Sequence, residues 1–245
     1  MTLLAFTPFT SEHLIPCAIG ALITIGILWW GRRNELSQRI TTALLVFFNL
    51  SAYAYSQVAW LSLDGPIALD NSIPLHLCDL SAFIAGFALI TRKPLLCTLT
   101  FCWGLAATAQ ALITPALGEG FPSLPYFTFF LHHFSIVAAA LYLPIVLGWR
   151  PQSPRWRTPL IALGCGIIYQ IFSLIINAIL DTNFGFTMHK PSNPSLLDQL
   201  GPWPWYLMAM WPMAFLLFFL LCLPFRSTQR PIQRSTQKPA RLPTD

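Results

Sequence analysis

The chain has 245 residues, of which 55% are hydrophobic and 9% are charged, and it carries a formal net charge of +5. Soluble domains contain about 25% charged residues, so this composition excludes a water-soluble domain and indicates an integral membrane protein. The basic residues lie between apolar runs and at the C-terminus instead of forming one cluster, so we expect no nucleic-acid partner.

Seven apolar runs are long enough to cross a bilayer, which takes about 20 residues in a helix. The predicted spans are residues 13–31, 40–62, 73–91, 94–114, 127–148, 157–180 and 203–224. The first run lacks a basic leader and a small-residue cleavage site, so we expect a retained helix. The sequence therefore predicts an all-α bundle of seven transmembrane helices over residues 1–225.

The positive charges give this bundle an orientation. With seven spans, all of the fourteen lysines and arginines except Lys190 fall on one side of the membrane. Basic residues favour the cytoplasmic side, which places the N-terminus outside and the C-terminus inside. Residues 226–245 are rich in Arg, Pro, Ser and Thr and are predicted to be a disordered basic cytoplasmic tail. We expect a multi-pass protein of the cell membrane.

Polar residues gather inside these runs, where they are costly and usually face the interior of the bundle. In the predicted orientation most of them lie in the outer half of the membrane. The candidate pocket residues of the second, fourth and sixth runs are Asn49, Tyr53, Gln57, Gln110, Gln170, Asn177 and Asp181. The third and fifth runs begin with more reactive groups, namely His76, Cys78, Asp79, His132 and His133. These positions predict a polar pocket that opens outward.

A thiol beside imidazoles suggests covalent catalysis. A cysteine becomes a nucleophile when a neighbouring base takes its proton. His133 or His132 is the candidate base for Cys78, and Asp79 or His76 is the candidate group that orients it. A membrane lipid ester is a substrate that such a site reaches without leaving the bilayer, so we expect acyl transfer or hydrolysis, with membrane lipids as partners and no cofactor.

Two other classes of function remain open at this stage. One is a metal-dependent hydrolase with ligands from His76, His132 or His133, and Asp79, although the chain contains no HxxxH or HExxH pair. The other is a transporter or sensor without catalysis. The six cysteines form no CxxC pair, which argues against a zinc ribbon or a disulfide framework. The sequence leaves the oligomeric state open.

Three stretches resemble a known family: IPLHLCDLSAF, FFLHHFSIVAAALYL and NPSLLDQLGPWPWY. They are similar to the YwaF-like family of bacterial integral membrane proteins, which looks related to the animal transmembrane protein 164 group. The resemblance implies acyltransferase chemistry in the bacterial inner membrane. It carries the catalytic cysteine onto Cys78 and the histidine onto His133, and the adjacent His132 leaves both histidines as candidates.

The same resemblance bears on the last outer loop. Asn183 matches an asparagine that usually precedes this loop in the family. Trp203 and Trp205 lie in the GPWPWY motif, and we include them as candidate pocket residues beside their ordinary role as interfacial anchors.

Overall fold

A computed structural model describes residues 5–64 and 66–225. Apart from an isolated bridge between Ala5 and Glu119, the regular structure of these residues is helical. The predicted tail at 226–245 lies outside the described residues. The α-helices are α1 Ser11–Gly31, α2 Glu35–Leu50, α3 Ala52–Trp60, α4 Leu69–Ser72, α5 Leu77–Thr91, α6 Pro94–Cys102, α7 Ala109–Ile113, α8 Leu124–Ile145, α9 Arg157–Leu180 and α10 Trp205–Cys222.

Within the described ranges, six helical stretches are long and apolar enough to cross a membrane. They are Ser11–Gly31, Leu69–Thr91, Pro94–Ile113, Leu124–Ile145, Arg157–Leu180 and Trp205–Cys222. They match the predicted spans except the second, at 40–62, which the structure divides at Ser51 into α2 and α3. The all-α membrane fold is thus confirmed, whereas the count of seven spans stays a prediction.

At the division, Ser51 makes a side-chain hydrogen bond to the preceding turn. Its hydroxyl donates a hydrogen bond of 2.7 Å to the carbonyl oxygen of Phe47, one turn earlier. Such back-bonding by serine often bends helices, and the backbone N–H of Ser51 still donates to the same Phe47 oxygen at 2.9 Å. The two parts still follow each other directly, since α3 begins at Ala52.

Helix ends follow ordinary capping chemistry. The Asn34 side chain accepts from the backbone N–H of Ser37 at 2.8 Å and so caps the start of α2. Ser123 caps α8 in the same way. The turn between α5 and α6 places Arg92 in the left-handed region at φ 56° and then uses Pro94 as the first residue of α6. These signals fix the hairpin that brings α5 and α6 side by side.

Helix α8 is the centre of the bundle and packs against α1, α2, α3, α5 and α6. Its fully buried alanines, among them Ala139 and Ala140, allow these close approaches. The outer helices α1 and α9 instead expose large apolar side chains such as Leu22 and Ile179. A bundle with an apolar exterior and a central helix that carries polar groups is suited to lipid as its solvent.

Candidate functional site

A cavity of about 430 Å³ lies between the start of α5, the middle of α8 and the helices α9 and α10. All five residues predicted as catalytic line it, and so do four of the predicted pocket residues. These are His76, Cys78, Asp79, His132, His133, Tyr53, Gln57, Gln110 and Gln170. The cavity is therefore the candidate functional site.

Three reactive groups meet in its wall. The Cys78 sulfur, a carboxylate oxygen of Asp79 and a ring nitrogen of His132 all lie within 4.8 Å of one another. Cys78 and Asp79 stand in the first turn of α5, where the partial positive charge of the helix N-terminus favours an anion. A thiolate at Cys78 is thus close both to an imidazole and to the positive end of a helix.

Hydrogen bonds to carbonyl oxygens orient both histidines. His132 donates from Nε2 to the carbonyl oxygen of Cys78 at 3.3 Å, which joins the middle of α8 to the start of α5. His133 donates from Nδ1 to the carbonyl oxygen of Phe129 at 2.7 Å, within α8. Because a carbonyl can only accept, a neutral His132 keeps its lone pair on Nδ1 and a neutral His133 keeps it on Nε2.

His76 occupies a different part of the wall. Its ring packs against Phe184, with ring centroids 5.4 Å apart, and against Phe186 at 6.1 Å. Both phenylalanines belong to the loop after α9. His76 therefore contacts the loop over the cavity, whereas Asp79 is the predicted orienting residue that lies beside His132.

Another part of the cavity wall is a π-helical segment, Trp103–Thr108, between α6 and α7. Trp103, Ala106, Ala107 and Thr108 line the cavity. The Trp103 indole N–H donates to the carbonyl oxygen of Ala162 at 3.1 Å and so ties this segment to α9. Widened turns of this kind occur often at functional sites, where they redirect side chains.

Several predicted pocket residues hold the site together. Tyr53 donates from its hydroxyl to the carbonyl oxygen of Ser72, and Gln57 donates from Nε2 to that of Asn71, both at 2.7 Å. These bonds fix the segment that leads into α5 and Cys78. Gln170 donates to the carbonyl oxygen of Leu207 at 3.3 Å and so joins α9 to α10.

Within the described chain, the other predicted pocket residues do not line this cavity. Asn49 is fully buried and donates from Nδ2 to the carbonyl oxygen of Ser135 at 3.0 Å, so it joins α2 to α8. Asp181 ends α9 in the left-handed conformation, at φ 53°. Trp203 and Trp205 are 54% and 63% exposed, as interfacial anchors are.

Asn177 and Asn183 instead shape the loop after α9, which forms a roof over the cavity through Phe186, Thr187 and Leu196. Asn177 donates to the carbonyl oxygen of Phe184 at 3.0 Å and accepts from its backbone N–H at 2.8 Å. Asn183 accepts from the backbone N–H of Met188 at 3.0 Å. At about 1 kcal/mol for each hydrogen bond, these side chains keep the roof folded.

Among the residues of the cavity wall that the sequence did not single out, Tyr169 and Trp211 make polar contacts. Tyr169 donates from its hydroxyl to the carbonyl oxygen of Leu75 at 3.0 Å, just before α5. Tyr169, Ser173 and Asn177 follow one another at steps of four residues, which is the signal that this tyrosine shares their helix face. Trp211 of α10 donates from its indole N–H to Gln170 Oε1. It lies in a uniformly apolar run, where no spacing distinguishes it.

Comparison with known proteins agrees with this picture. A family model described as the TMEM164 family matches residues 8–222, which is most of the chain. No curated protein and no solved structure matches it significantly. The match confirms the resemblance to the transmembrane protein 164 group, whereas the YwaF-like name for the bacterial relatives stays an expectation. With its apolar helices, the chain is a multi-pass membrane protein, and it belongs to the TMEM164 family.

Proposed function

We propose that this protein is a lipid-modifying acyltransferase or hydrolase that uses Cys78 as its nucleophile. The observation that supports it most is the meeting of the Cys78 sulfur, the Asp79 carboxylate and the His132 ring within 4.8 Å in the wall of a cavity. A nucleophile beside a base is the recurrent arrangement of covalent acyl transfer, and the nearby Asp79 carboxylate stabilises the imidazolium that forms. Membrane lipids are then the partners, and the site needs no cofactor.

In the first half-reaction the imidazole takes the thiol proton, and the thiolate attacks the carbonyl carbon of a lipid ester. The new carbon–sulfur bond replaces the ester carbon–oxygen bond, and the departing lipid alcohol receives the proton from the imidazolium. In the second half-reaction an acceptor hydroxyl gives its proton to the imidazole and attacks the thioester. The acyl group leaves sulfur as the new carbon–oxygen bond forms, and the imidazolium returns its proton to the thiolate, which restores the thiol. A lipid alcohol as acceptor gives acyl transfer, and water gives hydrolysis.

The test uses the full-length protein in lipid vesicles. The vesicles contain a phospholipid with an isotope-labelled acyl chain and a lysophospholipid acceptor. We expect labelled acyl groups on the acceptor or as free fatty acid, and a hydroxylamine-sensitive acyl adduct on the peptide that contains Cys78, both detected by mass spectrometry. Acyl movement without an adduct on Cys78 would contradict the thiol mechanism, and no acyl movement in these vesicles would contradict the function.

We further propose seven spans in a bacterial inner membrane, with the N-terminus outside, the C-terminus inside and the cavity in the outer half. The direct succession of α2 and α3, with 16 and 9 residues, supports a bent second span. An odd number of spans is also needed to place all the basic residues except Lys190 on the same side of the membrane.

Cysteine labelling tests this topology. Ser192 and Arg155 are both exposed and lie in loops that the proposal places on opposite sides. In intact cells that carry an otherwise cysteine-depleted chain, a membrane-impermeant maleimide is expected to label Ser192→Cys and to leave Arg155→Cys unlabelled until the cells are opened. Labelling of Arg155→Cys in intact cells would contradict the proposed orientation.

A further inference from the structure

The group formed by Cys78, Asp79 and His132 also has the chemistry of a metal site. The three candidate ligand atoms lie within 4.8 Å of one another. Zinc binds sulfur, nitrogen and oxygen at about 2.0–2.3 Å, so ligand pairs in a tetrahedral site are about 3–4 Å apart. Small side-chain rotations therefore suffice to bring the three atoms onto one ion.

We propose that Zn²⁺ binds to Cys78, Asp79 and His132 and that the bound ion inhibits the enzyme. This regulation rests on the proposed function, because it treats the Cys78 thiolate as the nucleophile. A thiolate whose electron pair is donated to zinc has lost its proton to solvent and no longer attacks a carbonyl carbon. The step involves coordination and release of a proton, without oxidation or reduction.

The donor set selects the kind of metal. One thiolate, one imidazole and one carboxylate are the ligands of zinc and similar borderline ions, whereas Mg²⁺ and Ca²⁺ require oxygen ligands throughout. The thiolate and carboxylate together carry two negative charges, which balance Zn²⁺ and avoid a net charge in the membrane interior.

The surroundings of the trio also favour a cation. Among the described residues that line the cavity, the only formally charged side chains are Asp70 and Asp79, and neither Lys nor Arg is present. The cavity supplies a path to Cys78, Asp79 and His132 and has room for a water molecule as the fourth ligand. Its wall thus contains no positive charge that would repel an arriving Zn²⁺ ion.

His132 has the second contact that metal-binding histidines usually make. Its Nε2 donates to the carbonyl oxygen of Cys78 at 3.3 Å, and the lone pair of the neutral ring is then on Nδ1. A backbone carbonyl in this role fixes the tautomer and the orientation of the ligand ring. His133 provides a matched contrast, because it lies next in sequence and lines the same cavity but is not part of the trio.

Binding is tested on the full-length protein in detergent after chelator treatment. Isothermal titration with Zn²⁺ is expected to give one site for each chain, and Co²⁺ is expected to produce a thiolate-to-metal absorption band. Asp79→Asn, His132→Gln and Cys78→Ser should each lower zinc affinity by at least about tenfold. His133→Gln and Cys165→Ser are the controls and should keep the affinity of the parent protein. Gel filtration and helical circular dichroism establish that each variant is folded.

The second measurement is independent of any lipid reaction. Zinc should slow the alkylation of Cys78 by iodoacetamide in the parent protein, and a chelator should restore it. Unchanged zinc affinity in folded Asp79→Asn and His132→Gln would overturn the site.

Activity assays separate this proposal from the proposed function. Zinc binding by a protein that moves no acyl groups would support the site and contradict the function. Acyl transfer that zinc leaves unchanged would overturn the inhibition. Loss of acyl transfer on chelation would also overturn it, in favour of a metal-dependent hydrolase.

Discussion

Replacing Cys78 by alanine is expected to lower the rate of acyl transfer by at least about a thousandfold. The reason is that the covalent route depends on a thioester, and alanine offers no atom that can carry the acyl group. The hydroxylamine-sensitive adduct should disappear together with the activity. The measurement is the initial rate of labelled product in vesicles, with protein amount set by quantitative immunoblot.

Cys17→Ala is the matched control for this prediction. Cys17 is also a half-buried thiol, and its sulfur contacts the carbonyl oxygen of Leu112 at 3.7 Å, outside the cavity wall. The control should retain acyl transfer close to that of the parent protein. A folded Cys78→Ala variant with full activity would rule out the thiol as nucleophile, whereas equal losses in both variants would point to a general effect on folding.

The helical membrane fold was predictable because an apolar run of sufficient length has few alternatives to a transmembrane helix in a bilayer. The break at Ser51 was not predictable, since hydropathy carries no information on local backbone geometry. The widened turn at Trp103–Thr108 likewise leaves no trace in an apolar sequence. Irregular backbone of this kind is set by tertiary packing.

The depth of the site residues in the membrane was predictable from the sequence, but the direction in which each side chain points was not. The positions of Cys78 and His132 within their runs indicated that both lie near the same height, and the structure brings them into one wall. Asn49 has a similar depth, yet its side chain joins α2 to α8 because it points at the Ser135 carbonyl. Whether a residue lines the cavity or joins two helices depends on how its helix is rotated about its own axis. Packing against neighbouring helices fixes that rotation.

The second prediction concerns the two histidines, which the sequence leaves as alternative bases and which the structure places differently around Cys78. The family resemblance points to His133 and leaves His132 as a second candidate, whereas the imidazole that meets the Cys78 sulfur within 4.8 Å is that of His132. The His133 ring packs against Phe129, with ring centroids 4.2 Å apart, and bonds to the carbonyl oxygen of that residue. The geometry therefore favours His132 as the group that takes the thiol proton.

His132→Gln is expected to slow acyl transfer by about 10²–10⁴-fold, the usual contribution of a general base, and to slow the alkylation of Cys78 by iodoacetamide in zinc-free buffer. His133→Gln should change the alkylation rate by less than about tenfold. This holds even where the variant slows acyl transfer in the second half-reaction, in which the acceptor hydroxyl attacks the thioester. Alkylation needs no lipid, so it reports on activation of the thiol apart from the binding of substrate. If His133→Gln abolishes alkylation while His132→Gln leaves it intact, the base is His133, and the side-chain arrangement around Cys78 must change when the thiol reacts.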